Sequence, residues 1–512
     1  MQSRETELKF SLDAATYARL KRSKRLKELT LEPAKTRHFV STYYDTKDGR
    51  LAGAGIAWRL RRDGRATVQT IKIANGHANL VRSECESPLR GTLPDLDQVP
   101  DEGLAKTLRA RLEGFGIEPK AKTDVRRTAR RLKTERGDIV EMALDAITFS
   151  NGSAEAAGHE LELELEAGDV AGLFEIARPL VAAHPLELSL ISKAERALHA
   201  GELEQPAKAP HIVLPGGASA LEALSVVLIQ TMRHLTRHAA IARQGESPEA
   251  IHQIRVSLRR QRAALASIGR EFDCERLLAL ADLARDLAQT LSEARDLDVF
   301  EDEILKPAKE AVADPGALGA LSAAVADRRL AAWSRAQAAL GTPIYRLYLL
   351  DLAEVALRGF PAGEGKPDPG AVSARELAAQ ILDRRLTKAR ALAERFMELS
   401  IIERHDLRKE LKKLRYPSEM FASLFDKGVK KYFDSLAQLQ DDLGSLNDVA
   451  TARALLHELV ATIAAKDTGA GAAAAFAAGE VAGWHVHRSQ KSLKRVMKHW
   501  ERFVATEPFW RR

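Results

Sequence analysis

The segment "ELELELE" (160–166) carries a glutamate at every second position, Glu160, Glu162, Glu164 and Glu166, with leucine between them. Successive side chains of a strand point to opposite faces, so this spacing predicts a strand with one acidic and one apolar face. On a strand facing water those carboxylates would merely repel one another. The chain repeats the device. In "ETELKF", near the start, Glu5, Glu7 and Lys9 share one face and Thr6, Leu8 and Phe10 the other. Arg59 and Arg61 share a face of "WRLRR", Lys72 ends "QTIK", and "VRSECE" groups Arg82, Glu84 and Glu86. "DVRRTARR" offers Arg127 and Arg131 on one side, Arg126 and Arg130 on the other.

Two arrangements suit such strands. In one, charged faces point to water around an apolar core, which composition alone favours. In the other, they line a tunnel while the apolar faces meet flanking helices. Acidic residues gather on the first and last strands and basic residues on the middle ones. That segregation favours the tunnel, as a pocket for a polyanion together with divalent cations.

Strand-like runs and turns alternate over residues 1–202, interrupted by helical segments such as "DEGLAKTLRARLEGFG" and "DVAGLFEIARPLVAA". The runs make about eight strands, a number that can close into a barrel and so remove exposed edges. Residues 203–217, "LEQPAKAPHIVLPGG", hold three prolines and two glycines and read as a linker. From 218 to 507 the periodicity is helical, and the stretch repeats itself over about 218–360 and 371–507. "IHQIRVSLRRQRAAL" aligns with "RHDLRKELKKLRYPS", "LSEARDLDV" with "LGSLNDVAT", and "MRHLTRHA" with "DRRLTKAR". Three blocks in one order predict two related helical bundles facing each other across a pseudo-twofold. The alanine-rich "AGAAAAFAAGEVAG" reads as a loop leading into a helix.

The 512-residue chain is 45% hydrophobic and 29% charged, a soluble globular composition, and its net charge of +7 favours an anionic partner. Two distant cysteines, Cys85 and Cys274, exclude a disulfide framework and fit a reducing cytoplasm. No apolar run suits a signal peptide or a bilayer span, so no membrane partner is expected.

The ordered set "ETELKF", "YYDT", "WRLRRDG", "TIK", "RSECE", "ALD", "ELELELEAGD" and "SKAERAL" resembles the CYTH superfamily, the triphosphate tunnel metalloenzymes, over residues 1–202. The resemblance implies an eight-stranded antiparallel barrel with a charged lumen that hydrolyses triphosphates with Mg2+ or Mn2+. Glu5, Glu7, Glu162 and Glu164 resemble the metal ligands, with Asp145 of "ALD" beside them; carboxylate oxygens are suitable hard donors. Lys9, Arg59, Arg61, Lys72, Arg82, Arg127 and Lys193 resemble the triphosphate clamp, and Arg can hold phosphate bidentately. Either Arg126 or Arg127 could face the lumen; the family spacing from Thr123 selects Arg127. The residues expected to be catalytic are Glu5, Glu7, Lys9, Arg59, Arg61, Lys72, Glu162 and Glu164. Several carboxylates are present, and no general base is singled out; His38 and His77 qualify only by type.

In the helical part, His252, Arg255, Arg259 and Arg262 fall within an arc of about 80° at helical periodicity, as do His405, Arg408, Lys412 and Arg415. "HRSQKSLKRVMKH" adds Arg488, Lys491, Arg495 and Lys498. Like charges at such neighbouring positions cost stability unless an anion neutralises them. With "EARDLDVF" and "GSLNDVA", the repeated His-x-x-Arg pattern resembles the CHAD domain over about 218–507, which implies a helical, internally twofold domain that binds inorganic polyphosphate in a basic cavity. The matching residues are Arg233, Arg237, His252, Arg255, Arg259, Arg262, Arg384, Lys388, His405, Arg408, Lys412 and Arg415, with Asp296 and Asp448 in structural roles. Aromatic residues make up only 5% and do not interleave with the basic ones, which disfavours nucleic acid.

The expectation is thus a cytoplasmic metal-dependent triphosphatase acting on inorganic triphosphate, with polyphosphate binding and residence at polyphosphate granules. The alternatives are a non-catalytic polyphosphate-binding protein, or a triphosphatase or cyclase acting on thiamine triphosphate or ATP. The oligomeric state and the preferred metal are not legible.

Overall fold

The computed structural model describes residues 3–63, 66–74, 80–202, 204–309, 318–393, 399 and 401–511. Contacts divide the chain into two compact units. The first comprises Met1–Gln205, Leu228–Arg237 and Gly341–Gly359; the second holds Pro206–Val227, His238–Leu340 and Phe360–Arg512.

The first unit is built on strands β1 (Ser3–Leu12), β2 (Lys35–Thr46), β3 (Ile56–Asp63), β4 (Ala66–Ala74), β5 (Val81–Pro88), β6 (Ile117–Lys133), β7 (Ile139–Ser150), β8 (Glu155–Ala167) and β9 (Glu187–Leu188). Their order is β5-β4-β3-β2-β6-β7-β8-β1-β9, every described pairing is antiparallel, and β5 also pairs with β1. That last pairing closes β1–β8 into a ring. The sheet therefore has nine strands, not the eight expected. The extra strand is two residues long, Glu187–Leu188 against Ser11 and Phe10, too short to show any alternation.

The apolar layer lies outside the ring. Ile56, Trp58, Ile71 and Cys85 of β3, β4 and β5 pack against Leu104, Leu108 and Leu112. Those leucines lie on one face of α4 (Glu102–Leu112), which follows α1 (Ala14–Arg22), α2 (Lys24–Glu28) and α3 (Arg50–Gly53). Asp45 of "YYDT" is buried and anchors α3, its carboxylate accepting from the Leu51 and Ala52 amides at 2.9 Å each. After β8 the chain turns at Gly168, whose φ of +100° and closeness to Asp138 leave no room for a Cβ. Helices α5 (Ala171–Ala183) and α6 (Lys193–Leu198) complete the barrel's cover.

The remaining helices are α7 (Ala220–Gln244), α8 (Pro248–Glu271), α9 (Glu275–Thr290), α10 (Ser292–Val299), α11 (Lys306–Lys309) and α12 (Gly319–Leu340). They continue with α13 (Pro343–Arg358), α14 (Ala374–Ala393), α15 (Ile401–Phe421), α16 (Val429–Lys466) and α17 (Thr468–Ala505). Ser219 opens α7 with a capping box to Glu222, and Ser247 followed by Pro248 opens α8. In the second unit α8 packs on α9, α10 and α15, and α15 packs on α14 and α16. The stretches before α7 and α14 meet in an antiparallel bridge, Ser219 opposite Ser373. The alanine-rich stretch is helical throughout as the start of α17, not a loop. Alanine is the strongest helix former, and packing on α16 holds the hairpin. The middle of α7 and all of α13 belong to the barrel's unit. There Arg178 on α5 reaches Asp351 at 2.7 Å and Glu354 at 2.9 Å on α13.

Candidate active site

The ring encloses a cavity of about 500 Å³. Its lining includes Glu5, Glu7, Lys9, Arg59, Arg61, Lys72, Arg127, Glu162, Glu164 and Lys193, which brings together most of the tunnel residues expected from sequence. The inward faces are charged and the outward faces greasy: on β1, Glu7 and Lys9 are buried inside while Leu8 and Phe10 are buried outside.

Strand register decides which charges meet. Between β1 and β8, Lys9 lies opposite Glu162 and Glu7 opposite Glu164. The first pairing joins unlike charges, and Lys9 Nζ stands 3.1 Å from Glu162 and 3.3 Å from Glu7. The second sets two carboxylates face to face, and Glu141 of β7 flanks Glu164 on its other side. Opposed like charges are unfavourable. Burial, reinforced by Glu5, Glu7 and Glu141, accordingly pushes the Glu164 carboxyl up to about 8. Burial also raises Glu5, with Glu7 and Glu84 adding to it and Lys72 opposing.

On the opposite flank the carboxylates are clamped. Asp145, Glu160 and Glu162 form a buried acidic cluster. Lys193 reaches all three, at 3.0 Å from Asp145 and 2.9 Å from Glu160. Arg127 makes a bidentate pair with Asp145 at 2.8 and 2.7 Å and also bonds Glu162, while Arg196 holds Glu160 at 2.7 Å. Burial alone would raise Glu162, yet Lys193, Lys9 and Arg127 hold it well below the usual carboxylate range. Elsewhere Lys72 lies 2.7 Å from Glu5 and 3.2 Å from Glu84, and Arg61 lies 2.6 Å from Glu86. Burial and the neighbouring Arg59 lower the Arg61 guanidinium. Phe39 supports two of the cations, with Arg61 and Arg127 at 5.6 and 5.9 Å from its ring centre.

Glu84, Glu160, Arg196 and Phe39 were not among the expected site residues. The alternation already placed Glu84 and Glu160 on charged faces, and Arg196 stands one helical turn beyond Lys193. Nothing in the sequence singled out Phe39. The Arg82 side chain and His77 lie outside the described residues. His38 is exposed and sits 2.7 Å from Asp124, away from the cavity lining.

In the helical part, Arg255 donates to the Ala288 carbonyl at 2.9 Å and to Ser292, while Arg259 stacks over Tyr416 with 5.8 Å to the ring centre. Burial lowers His252, Arg255 and Arg262, and adjacent arginines add to each shift. The Arg259 Nε is buried with no hydrogen-bond partner among the described residues. Arg415 pairs with Glu419 and Gln440, Arg384 with Glu271, and Arg495 with Asp442. Arg408 and Lys412 are half-buried on α15, whereas Lys388 and Lys498 are exposed. Arg233 and Arg237 belong to the barrel's unit, where Arg233 bonds Glu195 and Arg237 lies 3.9 Å from Glu204. The side chains of His405, Asp448, Arg488 and Lys491 lie outside the described residues.

Comparison with known proteins finds two domain families along the chain, and the second match includes the Leu228–Arg237 and Gly341–Gly359 segments that pack in the barrel's unit. The model of the CYTH domain matches residues 3–198, and that of the CHAD domain matches 227–457. The chain is a CYTH–CHAD protein. Uncharacterized proteins from two strains of Mycobacterium tuberculosis, CDC 1551 and H37Rv, are each 27% identical to it over 289 residues, 53% of this chain and 54% of theirs. The chain thus spans about half the length of the curated relatives it matches. Among solved structures, the CHAD domain from Ricinus communis is 28% identical, with a TM-score of 0.48, over 57% of this chain and 96% of that one. The protein HpAC1 from Hippeastrum, described as having a dominant triphosphatase activity, is 20% identical, with a TM-score of 0.26, over 38% of this chain and 95% of that one.

A divalent cation suits one flank of the CYTH cavity better than the other. Asp145, Glu160 and Glu162 lie close enough together to share an ion, but Lys193, Arg127, Arg196 and Lys9 already neutralise them. Around Glu164 the carboxylates outnumber nearby cations, and Lys72, the cation acting on it, pairs with Glu5 and Glu84. Glu5, Glu7 and Glu164 are the carboxylates on that flank, and their oxygens are hard donors of the kind a divalent cation takes.

Proposed function

We propose that the CYTH cavity hydrolyses inorganic triphosphate to pyrophosphate and phosphate with Mg2+ or Mn2+, and that the CHAD domain binds inorganic polyphosphate. The observation that carries the first part is a closed ring whose lumen faces Lys9, Arg59, Arg61, Lys72, Arg127 and Lys193 toward one another across a buried acidic floor. An apolar substrate gains nothing there. A linear polyanion offers these cations phosphate oxygens beside their carboxylate partners, and a low-polarity wall strengthens every such contact.

These basic side chains hold the phosphates in line and oppose the charge that develops on the leaving pyrophosphate. Glu5, Glu7 and Glu164 would hold the metal, and Arg127 with Lys193 keeps Glu162 ionised beside it. When bound, the metal supplies charge neutralisation and a more acidic water. Phosphate release from inorganic triphosphate, with thiamine triphosphate and ATP alongside, tests the reading. Release requires Mg2+ or Mn2+ and is fastest on the inorganic substrate. No release above that of a Glu7→Gln, Glu162→Gln chain would leave only a binding protein.

For the CHAD domain, support comes from the half-buried His252, Arg255 and Arg259, where neighbouring arginines oppose charge on His252 and Arg255, and from the buried Arg259 Nε, which has no hydrogen-bond partner among the described residues. Unpaired buried donors are costly, and phosphate oxygens would satisfy them. Replacing Arg255 and Arg408 together with Ala weakens polyphosphate binding roughly 10- to 100-fold, as expected for two charge-assisted contacts, and leaves triphosphate turnover intact. Filter binding with medium-length polyphosphate and a parallel turnover assay check this; equal loss of both would show that the two activities share one site.

A further inference from the structure

Ser192 caps the start of helix α6, its side chain accepting from the Glu195 amide at 3.1 Å. Its first residue, Lys193, enters the clamped flank of the cavity, while Glu195 stays at the rim. Arg233, from the part of α7 that belongs to the barrel's unit, donates to Glu195 and, at 3.3 Å, to the Leu190 carbonyl. Arg233 and Glu195 both line the cavity. Exposure shows the depth order: the side chain is 5% exposed at Lys9, 11% at Lys193, 27% at Arg61 and 39% at Arg233. The cation track therefore continues past the barrel strands onto a residue that lies within the CHAD match.

The most enclosed clamp cations differ from Arg233 in their partners, whereas Arg61 next to it in exposure likewise pairs with one carboxylate, Glu86. Lys193 touches three carboxylates, and Arg127 and Lys72 two each. Arg233 has one carboxylate partner among the described residues, itself 34% exposed. An ion pair this exposed is weak and screened. A guanidinium prefers the bidentate, more highly charged phosphate. A phosphate chain that outruns the deep clamp meets Arg233 next.

We propose that Arg233 is a specificity-determining residue that grips phosphates beyond the third, and that Glu195 competes for it when the substrate is short. This rests on the triphosphatase reading of the cavity. The CHAD region then contributes directly to chain-length selection in the tunnel.

The test compares inorganic triphosphate with linear tetraphosphate on the full chain. Arg233→Ala lowers the tetraphosphate-to-triphosphate ratio of kcat/KM about tenfold, through KM, as expected for loss of one charge-assisted contact. Arg233→Lys recovers part of it. Glu195→Gln, which removes the competitor, raises the ratio about threefold. Opposite signs for the two variants are what a merely structural ion pair would not produce. A ratio that is unmoved, or that shifts the same way in both, overturns the proposal. Calorimetry with Ca2+ replacing Mg2+ reads the same ratio from dissociation constants. An Arg59→Ala, Arg61→Ala chain subtracts binding elsewhere. If the wild-type chain hydrolyses neither substrate, the triphosphatase reading fails, while the calorimetric ratio still decides the role of Arg233.

Discussion

Replacing Glu5 and Glu164 together with glutamine lowers triphosphate turnover by about 10²- to 10³-fold at saturating magnesium, the cost typical of removing key electrostatic groups from an active site, and stabilises the metal-free protein at alkaline pH. The second effect follows from register. Glu7 and Glu141 flank Glu164 in the sheet, and burial with these charges raises its carboxyl from 4.5 to about 8. Between those two values the folded chain holds a proton that the unfolded chain has released. Stability of the metal-free protein therefore falls as pH rises from about 4.5 through about 8, at up to ~1.4 kcal/mol per unit. Glutamine removes the titration and flattens the profile. A bound cation opposes the same repulsion, so metal binding below pH 8 releases a proton, and Mg2+ raises Tm more at pH 8.5 than at pH 6. Thermal melts in EDTA and in Mg2+ across this range check the account. It fails if the double variant keeps turnover within threefold, or if it melts below the wild type at pH 8.5 without metal.

Lys193→Met has the largest expected effect on folding. The ammonium is shared by Asp145, Glu160 and Glu162, all buried. Removing one partner from such a group leaves charge uncompensated, at a cost of about 3–5 kcal/mol, or roughly 10 °C in Tm for a domain of this size. The pH dependence has a definite sign. In the wild type, Glu162 is held well below its ordinary value, so its contribution is present above about pH 4.5 and is lost as pH falls through its folded value. Without Lys193, Glu162 loses the foremost of the charges that hold it down and takes up a proton more readily. The gap between wild type and variant therefore narrows from pH 8 to pH 5.5. A gap below about 1 kcal/mol, or one that widens in acid, would show that Arg127, Arg196 and Lys9 suffice.

The sequence showed where charge would lie but not which charges would touch. Alternation in "ETELKF" and "ELELELE" marks faces with a period of two, and the closed ring turns those faces inward. It is silent on register. A shift by two residues would preserve every face yet set Glu162 opposite Glu7, so the split into a clamped flank and a flank suited to metal is decided by pairing alone. Local pattern likewise missed the two-residue β9, which exists only because Ser11 and Phe10 pass beside it. The alanine-rich start of α17 was misread because small side chains carry little amphipathic signal, although their helix propensity is high.

The order of motifs along the chain determined a tunnel domain followed by a helical one, because period and charge are properties of short segments. Tertiary structure alone decided that Arg233 would line the tunnel and that Glu164 would be held near pH 8 while Glu162, two residues away, stays ionised. The physical reason is that electrostatic energy depends on distance and burial, and neighbours across a sheet or between helices are set by packing of the whole chain.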